Sequence, residues 1–286
     1  NLIASDSRLK SIPYWQSLRP FQEKLIDQNN HTDSRQELAF EEYENFLQTM
    51  PLLKSMHDMH PNHIHEEIEL QAMDFSTYLP EWLANVPEWR DYYLNHDQIN
   101  HYEYLKDVLK AMQFIKGPKK WVLKSPQHLE QIPALLKTFP DATFAITYRD
   151  PLSVVLSTAT MLSYGDRVRR YTVEPKNNFN YWQNRIQILL EKFTNDYKLI
   201  PSNQKIDIFF DDLIKDNLNS VKKIYSKNSL RFNNLANNEI REYMNSNQRG
   251  KHGQVIYNLE DFNLDKSEFY QSFKFYFDTF DVLKEI

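Results

Sequence analysis

The residue best placed for chemistry is an arginine at the point where a strand ends and a helix begins. Arg149 stands in Tyr148-Arg149-Asp150-Pro151, after an apolar run and before a proline that suits the first turn of a helix. Ligands of open α/β sheets bind beyond the carboxyl ends of strands, and helix N-termini attract anions. We therefore expect Arg149 to hold a phosphate, with Ser157 two turns further along the helix. A surface ion pair of Arg149 with a carboxylate explains the same local pattern.

A lysine follows another short apolar run. The segment 124–128, which reads Lys-Ser-Pro-Gln-His, places Lys124, Ser125 and His128 at the end of that strand. If the two strands lie side by side, Lys124 reaches the same edge of the sheet as the arginine, where its charge can stabilise a transferring oxyanion group. A solvated lysine and a helix-capping Ser125 are the alternative interpretation.

Two of the four glycines of the chain lie within a basic turn. This turn is Arg249-Gly250-Lys251-His252-Gly253. Glycine allows a backbone to approach a ligand closely, and the cations favour an anion. The alternative is a charged surface loop, which the clustering of glycines in so glycine-poor a chain disfavours.

The elements that must position these residues are mostly helices. Apolar spacing predicts a βαβ unit, in which two parallel strands flank a helix that begins near residue 129. A further helix begins at Pro151, and residues 228–238 read as loop. The other predicted helices cover 35–49, 66–79, 98–115, 181–199, 217–227, 237–246 and 265–283, and the strands cover 121–123, 143–148 and 206–210.

Composition excludes several classes of protein. The chain has 286 residues, 41% of them hydrophobic, which suffices for a core and excludes a disordered chain. The net charge of −5 argues against a protein that wraps nucleic acid. The absence of cysteine excludes disulfides and thiol catalysis, and four glycines leave no Gly-rich phosphate loop within the sequence. No apolar run reaches the roughly 20 residues of a membrane span.

Taken together, these segments resemble the core of sulfotransferases. The resemblance is strongest to the bacterial-type family that uses 3′-phosphoadenosine 5′-phosphosulfate. The Lys-Ser-Pro segment and the Arg-x₇-Ser spacing carry it, and it covers nearly the whole chain. The matching segments are 85–87, 121–129, 139–142, 148–151, 212–213, 249–253 and 259–262.

The resemblance implies a role for each of the candidate residues. The fold would be the P-loop-like α/β sulfotransferase fold, a short parallel sheet flanked by many helices. Arg149 and Ser157 would hold the 3′-phosphate of the donor, and Arg249, Gly250 and Lys251 would close over the same phosphate. Lys124 would stabilise the sulfuryl group during transfer, and no metal would take part.

Sulfuryl transfer also needs a base that removes the proton of the acceptor. Glu66, Glu67 and His128 are the candidates, although a glutamate at a helix start can serve the helix dipole alone. Four histidines between residues 57 and 65 raise the possibility of a metal site. Their spacing lacks helical ligand geometry, so a metal is disfavoured.

The sequence departs from the family pattern at its start. Relatives cradle the 5′-phosphosulfate in a Gly-Thr-rich loop near the N-terminus, and residues 1–5 read as the helix that follows such a loop. We therefore expect the first strand and the donor loop to be missing, which leaves a vacant strand position. A truncated chain of this kind would be marginally stable and inactive.

We expect a single sulfotransferase-like domain over 1–286. It would comprise a helical insertion at 35–115, a βαβ core with the 3′-phosphate site at 119–165, and a C-terminal loop and helix at 245–286. The expected acceptor is a small molecule or polymer, with no nucleic acid and no membrane span, in the cytoplasm. The alternatives are a non-catalytic nucleotide-phosphate-binding remnant or interaction module and, less favoured, a phosphate-transferring P-loop enzyme.

Overall fold

The structure, a computed structural model, describes residues 1–22, 33–253, 255–257 and 259–286. These residues form two compact units. The first comprises Asn1–His128 and Leu235–His252, and the second comprises Leu129–Asn234 and Gly253–Ile286. The expected single domain with a helical insertion stays a prediction.

Helices make up most of the described residues, and the strands are short and parallel. The strands are β1 (Leu9–Lys10), β2 (Lys120–Trp121), β3 (Phe144–Tyr148) and β4 (Lys205–Phe209). The α-helices are α1 (Tyr14–Leu18), α2 (Ser34–Thr49), α3 (Leu53–Met56), α4 (Ile68–Ala72), α5 (Leu79–Leu83), α6 (Pro87–Asn95), α7 (Ile99–Lys116), α8 (Ile132–Thr138), α9 (Pro151–Asp166), α10 (Pro175–Asp196), α11 (Phe210–Lys215), α12 (Asn217–Lys227), α13 (Asn234–Ser246), α14 (Lys266–Ser272) and α15 (Lys274–Thr279).

In the first unit, a long helix and a two-stranded sheet lead into the lysine segment. Helix α7, predicted over 98–115, buries an apolar stripe from Tyr102 through Leu105 to Met112. It ends at Gly117, whose φ of 84° lies in the left-handed region that glycine adopts most easily. Strand β2 then pairs in parallel with β1. This pairing fixes the point at which the following segment, 122–125, begins.

In the second unit, β3 pairs in parallel with β4 along its whole length, from Phe144 opposite Lys205 to Tyr148 opposite Phe209. Helix α9 begins directly afterwards, with Pro151 in its first turn, as predicted. Asp150 caps this helix by accepting a hydrogen bond from the Leu152 backbone N–H at 2.9 Å. The junction that presents Arg149 is therefore fixed on both sides.

A buried ion pair also fixes the second unit. Arg185 on α10 donates two hydrogen bonds to the Glu130 carboxylate, at 2.8 and 2.6 Å, and both side chains are fully buried. Buried charges persist when they are paired and hydrogen-bonded, as these are. The pair ties α10 to the short 3₁₀ turn Pro126–Glu130 that precedes α8.

Several predicted elements differ from the observed ones. The strands predicted at 121–123 and 143–148 do not pair with each other, because each pairs with a different strand in the described part of the chain. A βαβ crossover fixes parallel direction without requiring adjacent strands, which is why the sequence pattern did not decide the pairing. The predicted vacant strand position stays a prediction.

Helix boundaries account for the other differences. The helix predicted over 66–79 is wrong, since α4 stops at Ala72 and α5 starts at Leu79, with Phe75 between them at a φ of 51°. Helix α10 begins at Pro175, before the predicted start at 181, and α13 begins inside the predicted loop 228–238. The helix predicted over 265–283 is divided into α14 and α15 around Phe273. None of the described helices combines the length and apolar character that a bilayer span requires.

Candidate active site

Two of the predicted catalytic residues contact each other in the first unit. The Nζ of Lys124, just after β2, donates a hydrogen bond to Oε1 of Glu66, just before α4. The lysine side chain is 73% exposed, whereas that of Glu66 is 11% exposed. The pair therefore lies at a surface that a ligand can reach, with the carboxylate set behind the ammonium group.

Glu67 lies next to this pair but is fully buried. Its Oε2 accepts a hydrogen bond from the Lys124 backbone N–H at 3.2 Å, and its Oε1 contacts Nε2 of His128. Burial alone would raise the pKa of the Glu67 carboxyl. The charge and hydrogen bond of His128 and the backbone N–H groups outweigh burial and hold this pKa below its ordinary value. Glu67 thus holds the lysine segment in place as a buried carboxylate.

His128 is held at both ring nitrogens. Its Nδ1 lies 2.8 Å from the hydroxyl of Tyr102, which is fully buried on α7, and its Nε2 contacts Glu67. Each ring nitrogen of His128 thus has a polar partner within the protein. The sequence pattern does not single out Tyr102, because apolar periodicity carries no signal for its hydroxyl.

Two further residues of the lysine segment, Ser125 and Gln127, are buried. Gln127 Oε1 accepts hydrogen bonds from the Thr77 hydroxyl at 3.0 Å and the Tyr78 backbone N–H at 3.2 Å, and its Nε2 donates to Gln71 at 2.5 Å. The alternative that the Ser125 side chain caps the following turn is wrong. Its Oγ is buried and has no hydrogen-bond partner among the described residues.

The histidines of the segment 57–65 pack against neighbouring side chains and do not surround a metal site. Burial lowers the pKa of His57 to about 4, with further lowering by the charges of His65 and Lys124. His65 pairs with Glu69 at 2.8 Å, and the His57 and His65 rings meet edge to face. Within the described ranges, no cluster of three or more histidine or carboxylate side chains could hold a metal ion.

Residues 249–252 of the basic turn belong to the first unit as well. Gly250 has a φ of 78°, in the left-handed region, so this position requires the freedom of glycine. Lys251 donates to the Asn247 side chain at 2.7 Å, and His252 Nε2 lies 4.0 Å from Oδ2 of Asp58. The turn therefore contacts the segment that leads to the Lys124–Glu66 pair.

The predicted phosphate-binding arginine lies in the second unit. Arg149 donates from Nε and Nη2 to the two carboxylate oxygens of Glu285, at 2.8 and 2.9 Å, and its guanidinium lies 4.2 Å from the ring centre of Phe210. Asp150 Oδ2 accepts the Glu285 backbone N–H at 2.8 Å and the Tyr270 hydroxyl at 2.9 Å. The surface ion pair considered from the sequence is therefore present, with Glu285 as the partner.

Ser157 lies half-buried on α9, two turns beyond Arg149. The serine one turn earlier, Ser153, is buried and hydrogen-bonds to Glu285. Burial raises the pKa of the Glu285 carboxyl, but its hydrogen bonds and the charge of Arg149 outweigh burial and lower it. The carboxylate of Glu285 is therefore already bound to Arg149, just before the start of α9.

The structure thus brings Lys124, Glu66, Glu67 and His128 together in one unit, with Tyr102 as an unpredicted member. Arg249, Gly250 and Lys251 belong to this unit too, whereas Arg149 and Ser157 belong to the other. The sequence did not single out Glu285 either, because its charge carries no local pattern that points to residue 149.

The short parallel strands and the many helices match the P-loop-like α/β fold of solved structures. The chain is similar to the crystal structure of sulfotransferase STF9 from Mycobacterium avium, with a TM-score of 0.84, 20% identity, and coverage of 99% of this chain and 73% of that one. It is also similar to sulfotransferase STF1 from Mycobacterium tuberculosis H37Rv, with a TM-score of 0.77, 21% identity, and coverage of 95% and 71%.

The sequence places the chain within a family. The model of the sulfotransferase family matches residues 1–234, so the chain belongs to the sulfotransferase family. No curated protein sequence shows a significant match to it. The bacterial-type resemblance and the P-loop-like fold expected from the sequence are confirmed.

Proposed function

We propose that this protein transfers a sulfuryl group from 3′-phosphoadenosine 5′-phosphosulfate to a hydroxyl or amine of a small-molecule or polymer acceptor. The observation that carries the proposal is the Lys124–Glu66 pair, an accessible cation in contact with a carboxylate at the end of a strand. The bound donor would supply an activated sulfuryl group. The residues of this chain would orient it, stabilise charge and move one proton.

Glu66 is the base that the geometry favours. His128 uses both ring nitrogens within the protein, and Glu67 is fully buried and committed to His128 and the Lys124 backbone. Glu66 would accept the proton of the acceptor as the acceptor oxygen or nitrogen bonds to sulfur. The bond from sulfur to the phosphate oxygen of the nucleotide would break, and Lys124 would stabilise the negative charge that develops there.

Binding of the nucleotide would rest on the basic residues. Arg149 already presents two N–H groups to the two oxygens of a carboxylate, and a phosphate would need the same fork. The family resemblance implies roles in binding the 3′-phosphate for Ser157 and for Arg249, Gly250 and Lys251 as well.

Transfer from radiolabelled donor to a panel of phenols, alcohols and amines tests the proposal. We expect labelled product, and we expect Lys124→Met to lower the transfer rate at least about 100-fold, as for loss of one transition-state contact. Calorimetry should show the affinity for adenosine 3′,5′-bisphosphate unchanged in that variant within about threefold. Lys110→Met, which removes an exposed lysine on α7, is the matched control and should leave both values unchanged.

Two results would contradict parts of this assignment. Equal losses of rate and nucleotide affinity in Lys124→Met would make Lys124 a binding residue only. Tight nucleotide binding with no transfer to any acceptor would favour the second candidate, a nucleotide-phosphate-binding module. The absence of a Gly-rich loop within residues 1–286 is the observation that favours this second candidate.

A further inference from the structure

A separate cleft lies in the second unit, and none of the residues assigned to sulfuryl transfer lines it. Its volume is about 940 Å³. One wall is the N-terminal half of α10, and the other is the segment 262–269, which includes the start of α14. This volume is within the range of small-molecule sites.

The wall formed by α10 is a row of carboxamides. Asn180, Gln183, Asn184 and Gln187 are spaced i, i+3, i+4 and i+7, which puts all four on one face of the helix. Asparagine is a poor helix former, and solvent-facing helix positions are commonly lysine or glutamate. Helix stability therefore does not explain this row.

Most of these amides are free to bind a ligand. Gln187 donates to Glu191 at 2.9 Å. The side chains of Asn180, Gln183 and Asn184 form no hydrogen bond with any other residue that the structure describes. Each offers two N–H donors and a carbonyl acceptor, the combination that matches hydroxyl groups, which also donate and accept.

The charges around the cleft cancel. Two lysines and two carboxylates line it, so the formal sum is 2 − 2 = 0; they are Lys176, Lys266, Asp265 and Glu268. Asp265 is moreover committed to α14, since it accepts the backbone N–H of Ser267 at 2.8 Å and of Glu268 at 3.1 Å. A phosphate or another strongly charged ligand would find no net counter-charge here, so a neutral ligand is favoured.

The floor of the cleft is aromatic, formed by three buried phenylalanines that each expose at most 5% of their surface. Phe179, Phe262 and Phe269 line it, and the Phe179 ring centre lies 5.4 Å from that of Phe262 and 6.0 Å from that of Phe269. An apolar base with polar side chains above it matches a molecule that has both C–H faces and hydroxyl edges.

We propose that this cleft binds a neutral saccharide, with the carboxamides of α10 hydrogen-bonded to its hydroxyls and the phenylalanine floor against its C–H face. A neutral sugar ring satisfies all three observations: the free amides, the cancelled charges and the aromatic floor. The inference stands independently of sulfuryl transfer, because its residues and its test involve neither donor nor acceptor.

Titration with maltotriose, cellotriose and chitotriose, followed by calorimetry and by saturation-transfer NMR, tests the proposal. We expect at least one of these probes to bind, and the double variant Gln183→Ala/Asn184→Ala to weaken it about tenfold through loss of two hydrogen bonds. The double variant should fold, because alanine is a better helix former than glutamine or asparagine. Its melting temperature should equal or exceed that of the wild type. Asn238→Ala removes an exposed amide on α13 and should leave binding unchanged.

Two outcomes would overturn the assignment. One is no binding of any of the three probes at concentrations up to about 20 mM, well above a millimolar Kd. The other is binding that the double variant leaves as strong as in the wild type. Loss of sulfuryl transfer is not among the readouts, so failure here and failure of the proposed function are distinguishable.

Discussion

Arg149 and Glu285 form a two-point ion pair, with Nε and Nη2 of the arginine 2.8 and 2.9 Å from the two carboxylate oxygens. Asp150 accepts a hydrogen bond from the Glu285 backbone N–H, and the Tyr270 hydroxyl donates one to the Ile286 carbonyl. These bonds hold Glu285 in place beside the arginine. The fork that the family resemblance assigns to a 3′-phosphate is thus occupied by a carboxylate of the same chain. A phosphate and Glu285 would compete for the same N–H groups.

Glu285→Gln should therefore raise the affinity for adenosine 3′,5′-bisphosphate. A partly exposed ion pair contributes up to about 1 kcal/mol, so we expect an increase of about fivefold, measured by calorimetry. Glu174→Gln removes an equal charge from an exposed position and is the control. Equal affinity in Glu285→Gln and the wild type would show that the phosphate does not use this fork.

Arg149→Ala should weaken binding of the same nucleotide about 30-fold, the equivalent of about 2 kcal/mol for a charge-assisted two-point contact. Arg149→Lys keeps the charge but loses the planar fork, so its affinity should fall between those of the alanine variant and the wild type. Wild-type affinity in the alanine variant would remove Arg149 from the 3′-phosphate site.

Glu67 should make the protein acid-sensitive. Its folded-state pKa lies below the ordinary value of 4.5, so its contribution to stability is present above about pH 4.5 and is lost as the pH falls through the folded-state pKa. Glu67→Gln should lower the free energy of unfolding by about 3 kcal/mol at pH 7, because it breaks a buried pair.

Urea unfolding at pH 7 and at several values below 4.5 checks this expectation. The difference between the wild type and Glu67→Gln should shrink as the pH falls. Glu88→Gln, at an exposed position on α6, should track the wild type throughout. A difference that stays constant with pH would show that Glu67 contributes by packing alone.

His57 should remain neutral well below the usual range of histidine. Burial and the neighbouring charges of His65 and Lys124 lower its pKa to about 4, against 6.5 in the unfolded chain. The unfolded state therefore binds the extra proton first, and stability falls as the pH decreases from about 6.5 towards 4. NMR should show the His57 ring titrating near 4 in the folded protein and near 6.5 in urea, and a folded-state midpoint near 6.5 would contradict its burial.

Periodicity and strand-end position predicted much of the fold. The stripe of α7, the start of α9 at Pro151 and the strand leading to Arg149 agree with the structure, because each depends on residues close together in the chain. Strand pairing did not follow from the sequence, because it depends on which distant segment supplies the neighbouring backbone. Strand β1 is separated from its partner β2 by more than a hundred residues.

Glu66 and Glu67 show the same contrast, between what nearby residues determine and what distant segments determine, at the candidate site. The residue types alone established that two adjacent carboxylates precede a helix and that a lysine follows a strand. They did not distinguish Glu66 from Glu67 as the candidate base. Only the tertiary structure separated them, by burying Glu67 against His128 and the Lys124 backbone while Glu66 faces the Lys124 ammonium group. The physical reason is that neighbouring side chains leave the backbone in different directions, and what each one meets comes from segments about sixty residues away.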